Sequence, residues 1–599
     1  MAQEGRLYDG GIAITGEGIV SAIGNSKLEV LQSLEGGITG IGEMKHLGSS
    51  HHELPVGEVK LSNNEMKSLL GIDESQEVSR TALMAMLALR QAIDESGVAE
   101  LKRQNPSLRV VLVSGTTVGG MDITEQHFAT LSQSDEHIAC LLQHDCGSST
   151  EYVSHHFGIF DDCTTISTAC SSAANALILA ANMLKAGEAD VVVAGGTESL
   201  SLFHLNGFNS LMILDHEVCR PFDDTRAGLN LGEGAAYVVM ERTTDAASRN
   251  AHVEAYLTGY GNACDAFHQT ASSDDGEGAF LAMREALIMA QIEPNDINYI
   301  NAHGTGTPNN DLSESMAIKR VFSDTIPPVT STKMYTGHTT SASGSIEAVI
   351  CLLAMNNSFV PSNLGFAHAI PGGVVPSMGI KNHKIDHVMC NSFGFGGNDT
   401  SLIFSRDEVK NPEPMSLLSD DDIRIVAQVE ITDESQLTDI RKYVSPIEAR
   451  RMGKVLKSSL LSSMQALEQA GIDVPDAIIT ATALGCLDNS ERLLVQMNEE
   501  GEALLKPTYL MQSTHNTIGS NIAIRTHCHG YNVTYTHGRD SLRWALYDAK
   551  LLLKSGKCKN VLVGLHDETT ALYRDVMNRL GVKDIPTLYS KAIILSCGE

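Results

Sequence analysis

The sequence predicts an α/β fold in which buried strands alternate with helices and both faces of the sheet are covered. Three observations carry this. Apolar, β-branched runs end in glycine or small-residue turns, as in Val110-Val111-Leu112-Val113-Ser114-Gly115, Val191-Val192-Val193-Ala194-Gly195-Gly196 and Val388-Met389-Cys390-Asn391-Ser392-Phe393-Gly394. Helical stretches such as 81–96 and 278–291 fall between them. The runs read as strands buried on both sides, which an alternation with helices supplies.

Taken in chain order, the strand at 110–115 follows the first helical stretch. A β-branched run, Thr164-Thr165-Ile166, then leads into Thr168-Ala169-Cys170-Ser171-Ser172-Ala173, and a small-residue helix follows over 173–184. Cys170 therefore stands where a strand turns sharply into a helix. Unpaired N–H groups and a partial positive charge at the helix start favour a thiolate and any oxyanion formed beside it. On position alone the thiol is either a displayed nucleophile or one more buried cysteine among the twelve. The tract 405–424, with Asn411-Pro412-Glu413-Pro414 and Asp420-Asp421-Asp422, interrupts regular structure and reads as a linker. A domain over 1–406, a linker over 407–424 and a second domain over 425–599 follow from it.

Length and composition agree. A chain of 599 residues is too long for one core. A net charge of −30 argues against nucleic acid and anionic membrane as partners, because phosphate binding needs clustered Lys and Arg. An acidic carrier protein docking on a local basic patch stays compatible with it. The cysteines form no C-x-x-C pair, so neither a zinc site nor a disulfide framework is indicated. Reduced thiols and a cytoplasmic address are expected. The N-terminus carries no signal-peptide core, and no apolar run is long enough to span a bilayer.

Three further segments carry chemistry. Asn301-Ala302-His303-Gly304-Thr305-Gly306-Thr307-Pro308, followed by Asp311 and Glu314, puts an imidazole at a strand end before a glycine loop. Ser331-Thr332-Lys333-Met334-Tyr335-Thr336-Gly337-His338 offers a lysine and a second imidazole, and Glu347 lies in the small-residue helix after it. Asn391-Ser392-Phe393-Gly394-Phe395-Gly396-Gly397-Asn398 has glycines that let backbone N–H groups point at a ligand. Each has a plain structural alternative: a satisfied histidine, a solvated lysine, an ordinary glycine turn.

Together, in this order, these segments resemble the β-ketoacyl–acyl-carrier-protein synthases, decarboxylating condensing enzymes with the thiolase fold. The resemblance covers 1–406 and includes Ala13-Ile14-Thr15-Gly16-Glu17-Gly18-Ile19-Val20, Arg220-Pro221-Phe222-Asp223 and Gly232-Glu233-Gly234. The order Cys, His, Lys, His is that of the elongating branch. Initiating synthases have Asn where His338 stands, and thiolases have a second cysteine where this chain has the Phe395 region. The resemblance implies a layered αβαβα ketosynthase domain with halves over about 1–250 and 251–406. It implies that Cys170 takes an acyl group from an acyl carrier protein and that the N–H groups of Cys170 and Phe395 form the oxyanion hole. His303 and His338 would stabilise the enolate left by malonyl decarboxylation, and Lys333 would set their electrostatics. Loss of either histidine is expected to stop decarboxylation and to leave acyl loading largely intact. Asp311 and Glu347 would support the site, and Glu347 would also suit a structural monovalent cation. Phe395 would gate, and Val118, Thr305, Thr307 and Gly394 would line the substrate pocket. No cofactor and no catalytic metal are implied. A non-catalytic scaffold for carrier proteins and a coenzyme A thiolase are the alternative readings.

The last third repeats the first. Lys185-Ala186-Gly187 before the strand at 191–195 resembles Lys554-Ser555-Gly556 before the one at 561–564, at a constant offset of 369 residues. Helical patterns at 80–97 and 450–471 match, and 235–241 pairs with 591–597. The offset carries Cys170 onto Arg539, so this half-copy has no thiol at its elbow, and the sequence holds no counterpart there of His303, Lys333 or His338. Residues 425–599 resemble ketosynthase-like N-terminal-half domains of polyketide and aryl-polyene pathways. That implies a half thiolase-like α/β domain, catalytically inactive, acting as a tethered chain-length-factor-like partner. Synthases of this family pair through the strand before the elbow, here Tyr531-Asn532-Val533-Thr534-Tyr535. A homodimer or a pseudo-dimer with the chain's own second domain is expected.

Overall fold

The computed structural model describes residues 10–408, 422–503 and 505–597. Most of the linker, 409–421, lies outside the described residues. The strands fall into three sets. The first is β1 (Ile12–Ser21), β2 (Val110–Gly115), β3 (Asp162–Ile166), β4 (Val191–Glu198) and β5 (Gly234–Arg242). The second is β6 (Ala255–Cys264), β7 (Tyr299–Asn301), β8 (Val329–Thr330), a separate hairpin of β9 (Phe359–Ser362) with β10 (Met378–Lys381), β11 (His387–Gly394) and β12 (Asn398–Ser405). The third is β13 (Ile423–Ile431), β14 (Ala477–Ala481), β15 (Tyr531–Tyr535), β16 (Asn560–Glu568) and β17 (Leu588–Cys597).

All but the hairpin join one 15-stranded sheet, in the order β13-β17-β16-β14-β15-β3-β2-β4-β5-β1-β6-β12-β11-β7-β8. Each set of five repeats one order: the second strand beside the third, then the fourth, fifth and first. The sequence discloses two copies of this unit; the fold contains three. In each copy a tight turn opens a helix of 14 residues: Ser172–Lys185, Ser343–Asn356 and Ser541–Lys554; the turn follows the third strand closely in the first and last copies, and the short helix Lys333–Thr336 intervenes in the middle one. The residue opening each turn is left-handed: Ala169 at φ 53°, Thr340 at φ 43° and Gly538 at φ 50°. The first two helices are buried nearly all round and form a central layer between sheet faces. Side chains from all three helices share one apolar cluster with the strands.

The half-copy docks through β15. Tyr535 pairs with Ile166 of β3, and two reciprocal bonds flank them: Ser167 N–H to Thr534 O at 2.9 Å and Thr536 N–H to Thr165 O at 3.0 Å. Tyr535 and Ile166 stand 369 residues apart, and the same offset carries Ser167 onto Thr536 and Thr165 onto Thr534, so the repeat offset is also the symmetry of the contact. The edge of β3 is thus occupied within the chain.

Two sequence pairings shift. The helix matched to Arg80–Ser96 is Lys454–Ala470, not a run from residue 450, because Gly453 caps it and Pro446–Arg451 is a separate turn of helix. Ala236 and Lys591, each paired to equivalent residues of β4 and β16, correspond, so the match of 235 to 591 was one residue out of register. In a strand that slip exchanges the two faces.

Candidate active site

Cys170 sits in the turn between β3 and the helix Ser172–Lys185. Ser172 fixes the elbow: its hydroxyl accepts from Thr168 N–H at 2.9 Å and donates to Ala169 O at 2.7 Å. The Cys170 thiol is buried and lies 3.0 Å from His338 Nε2. Its Sγ and one ring nitrogen each of His303 and His338 all fall within 4.8 Å of one another. The two imidazoles stand edge to face, with centroids 5.3 Å apart.

His303 ends the segment after β7. Its amide and that of Gly304 both donate to the Glu314 carboxylate at 2.8 Å. Asp311 holds the same loop from outside, accepting from Gly306 N–H at 3.1 Å and Phe222 N–H at 2.8 Å. His338 follows Gly337 and is strapped to the segment before β5: its N–H donates to Asn230 O at 2.7 Å and its carbonyl accepts from Gly232 N–H at 2.9 Å. Gly232 is required, since a Cβ there would come within 2.3 Å of Thr336 O. Glu233 beside it takes the buried Arg80 guanidinium, which anchors this strap to the helix Arg80–Ser96. The Gly-Glu-Gly string thus serves His338 from behind.

Lys333 and Glu347 form a buried pair at 2.5 Å, and Lys333 Nζ lies 3.3 Å from His303 Nδ1. An ammonium only donates, so His303 Nδ1 accepts and the ring carries its proton on Nε2. His338 Nδ1 meets the Ser343 hydroxyl at 3.1 Å, a partner that serves either tautomer. Burial first, then the Lys333 charge, hold both imidazoles well below the usual histidine range. Burial pushes the Cys170 thiol up to about 12, against the pull of Lys333 and the Phe395 amide. At neutral pH the site therefore holds a thiol, two neutral imidazoles and one compensated ammonium.

By distance alone Cys170, His303 and His338 also fit a metal. The Lys333 ammonium against His303 opposes a cation and favours a developing anion in that space. Glu347 gives one oxygen to Lys333, and its other oxygen is buried without a partner among the described residues.

A cavity opens from Cys170. Val118, Phe208 and Phe395 line it, and so do Leu484, Leu510 and His515 from the half-copy. Phe395 stacks on Phe208 at 5.7 Å, and its carbonyl accepts from Asn516 Nδ2 at 2.7 Å, so the second domain braces the Phe395 loop. Thr305, Thr307 and Gly394 are not brought to this cavity. The two threonine hydroxyls bond each other at 2.8 Å, and Gly394 packs on the elbow, where a Cβ would lie 2.7 Å from Thr168 O. The sequence marks Glu314 without a role for it and leaves Ser343 unmarked; one lies in the second turn of the helix Pro308–Phe322 and the other opens the helix Ser343–Asn356. Sequence reading passed over Leu484, which the repeat reveals: Thr116, Thr117 and Val118 bond Glu198 as Thr482, Ala483 and Leu484 bond Asp567.

The chain matches the β-ketoacyl synthase N-terminal domain over 9–246, the C-terminal domain over 254–367, and a further β-ketoacyl synthase N-terminal domain model over 427–598. The 3-oxoacyl-[acyl-carrier-protein] synthase 2 of Vibrio cholerae is 31% identical over 416 residues, covering 66% of this chain and 99% of that protein. The Coxiella burnetii protein of the same name is 32% identical, covering 66% and 98%. Among solved structures, the ketosynthase ApeO with its chain length factor ApeC from Xenorhabdus doucetiae is 30% identical over 66% of this chain and 98% of that one, with TM-score 0.59. The PfaC ketosynthase–chain length factor, 16% identical, shares the fold over 98% of this chain and 78% of its own, with TM-score 0.77. Among the described residues no helix is long and apolar enough to cross a membrane.

Proposed function

This chain belongs to the β-ketoacyl synthase family, and from that premise we propose how its own residues run the reaction. It is an elongating β-ketoacyl-carrier-protein synthase, an acyltransferase of fatty-acid or polyketide synthesis that performs a decarboxylative condensation. The observation that carries the mechanism is the thiol 3.0 Å from one neutral imidazole with the second beside it.

In the first half-reaction Cys170 Sγ attacks the acyl thioester carbonyl. Its proton passes to His338 Nε2 and then to the departing carrier thiol. The Cys170 and Phe395 amides hold the tetrahedral oxyanion. In the second, His338 takes its other neutral tautomer, which the Ser343 hydroxyl serves by donating to Nδ1, and malonyl-carrier protein places its thioester oxygen between His303 Nε2–H and His338 Nε2–H. The bond to the carboxylate breaks, carbon dioxide leaves, and its electron pair becomes the enolate that both donors stabilise. The enolate carbon attacks acyl-Cys170, the sulfur leaves as thiolate and takes a proton from solvent, and a β-ketoacyl chain two carbons longer departs. Every group needed is on the chain, so no cofactor enters the scheme.

Residues 425–599 act as a chain-length-factor-like partner carried on the same chain. The support is the β15–β3 contact and the wall this domain gives the cavity. Buried, unpaired cysteines suit a reducing compartment, and we place the protein in the cytoplasm.

The test is a ladder of acyl-carrier proteins, digestion and mass spectrometry of the labelled peptide. Label on Cys170 is expected, and label elsewhere overturns the scheme. The geometry also divides the histidines, which the sequence treated alike. His303→Ala should cut carbon dioxide release by about a hundredfold or more while Cys170 still loads. His338→Ala, which removes the group touching Sγ, should slow both steps.

A further inference from the structure

The cavity is apolar along Val118, Phe208 and Phe395, yet three imidazoles line it: His204 beside Phe208, and two more where the domains meet. His144 comes from the catalytic domain and His515 from the half-copy. Each stands immediately before a helix N-cap, Asp145 in one domain and Asn516 in the other. They are thus near-equivalent residues facing each other across the internal pseudo-twofold. Each ring is aimed by a hydroxyl on its Nδ1: Thr124 Oγ1 to His144 at 3.0 Å and Ser167 Oγ to His515 at 3.0 Å. Gly485 leaves room for the second ring, since a Cβ there would meet His515 Cδ2 at 2.7 Å. No hydrogen bond is made to the Nε2 of either ring among the described residues, and both rings border the cavity.

We infer that this pair makes the cavity selective for acyl chains that carry a hydrogen-bonding oxygen away from the thioester, such as a hydroxyl, phenol or carbonyl, over wholly hydrocarbon chains. The inference rests on the condensing function and on the cavity being the acyl site. A hydrocarbon chain filling the cavity would strip water from two imidazole nitrogens and give them nothing in return, whereas an oxygen at the right depth pairs with one of them. Burial keeps His144 below the usual range, and burial with the neighbouring His144 takes His515 to about 4, so both rings are neutral and present either a donor or an acceptor. A charged carboxylate gains no ion pair from them.

The experiment uses the full chain and two matched series of acyl-pantetheine thioesters, from four to twelve carbons in length as an order-of-magnitude bracket of cavity depth, roughly 1.3 Å per carbon in an extended chain scaled from backbone dimensions. One series ends in methyl, the other in hydroxyl. Members of equal length compete for Cys170, and intact-protein mass spectrometry reads the ratio. The wild type should favour the hydroxyl member by roughly tenfold at one chain length, which reports the depth of the pair. His515→Leu and His144→Leu should bring that ratio toward one. His515→Gln, which keeps a hydrogen-bonding tip, should retain part of it and guards against a folding defect. Parity or methyl preference at every length, or a ratio unchanged in His515→Leu, overturns the inference and leaves the condensing function standing. Failure of every thioester to label Cys170 overturns both.

Discussion

Cys170 is a protonated thiol at rest, and its partners are neutral rings, so the site stores no ion pair at the nucleophile. The charge needed for chemistry is Lys333, one ring removed from the substrate. This has a measurable consequence. The imidazoles take up protons only well below their ordinary 6.5, because burial and then Lys333 oppose the charged form. As pH falls from 8 to 6 the wild-type condensation rate should show no acid limb from them. In Lys333→Met the second of those causes is gone, both pKa values rise, and the acid limb should move up toward 6.5, read from the pH dependence of kcat. Removing the other half of the pair acts on stability instead. Glu347→Gln leaves a buried ammonium without its counter-ion and should cost about 3–5 kcal/mol in chemical denaturation. The four central residues were legible because each lies in a string whose glycines and strand context restrict its geometry. Glu314 and Ser343 were not. Their work is a contact made across a fold, and nothing in a helical sequence marks which carboxylate will meet two amides or which serine will meet a ring.

At the scale of the element, one device recurs: left-handed residue, tight turn, helix of 14 residues. The half-copy keeps the whole of it. Ser541 caps its elbow as Ser172 caps the first, with its hydroxyl accepting from His537 N–H at 2.7 Å and donating to Gly538 O at 2.9 Å. The thiol is replaced by an exposed Arg539. The elbow is therefore architecture, and its chemistry comes from what faces it. Arg539→Cys in a Cys170→Ala background should give a correctly folded protein that takes no acyl group from a carrier protein, judged by mass spectrometry of the peptide spanning 539. Acylation there would mean that the turn and helix alone suffice. The offset of 369 was readable because strands and glycines persist in both copies. The third copy was not, because its β7 and β8 are only three and two residues long and give no run to recognise.

In the whole molecule, one sheet places the catalytic cavity on an internal symmetry axis, and only one side of that axis carries a nucleophile. The half-copy supplies wall: Leu484 stands in the same turn as Val118, each held by backbone bonds to the acid at the end of the neighbouring strand. Both line the cavity with Cys170. A larger side chain at either position removes volume from a packed wall, and overpacking is resisted rather than absorbed. Leu484→Phe lies outside the domain that does the chemistry. If the half-copy shapes the acyl channel, this variant should load short acyl groups on Cys170 as the wild type does and release products shorter by at least one condensation cycle, measured by mass spectrometry of carrier-bound chains. Val118→Phe should shorten them as well, from the opposite wall, and the double variant should shorten them further than either alone because the two side chains converge on one space. Unchanged product lengths in Leu484→Phe, with activity intact, would reduce residues 425–599 to a brace that covers the β3 edge and holds Phe395 through Asn516.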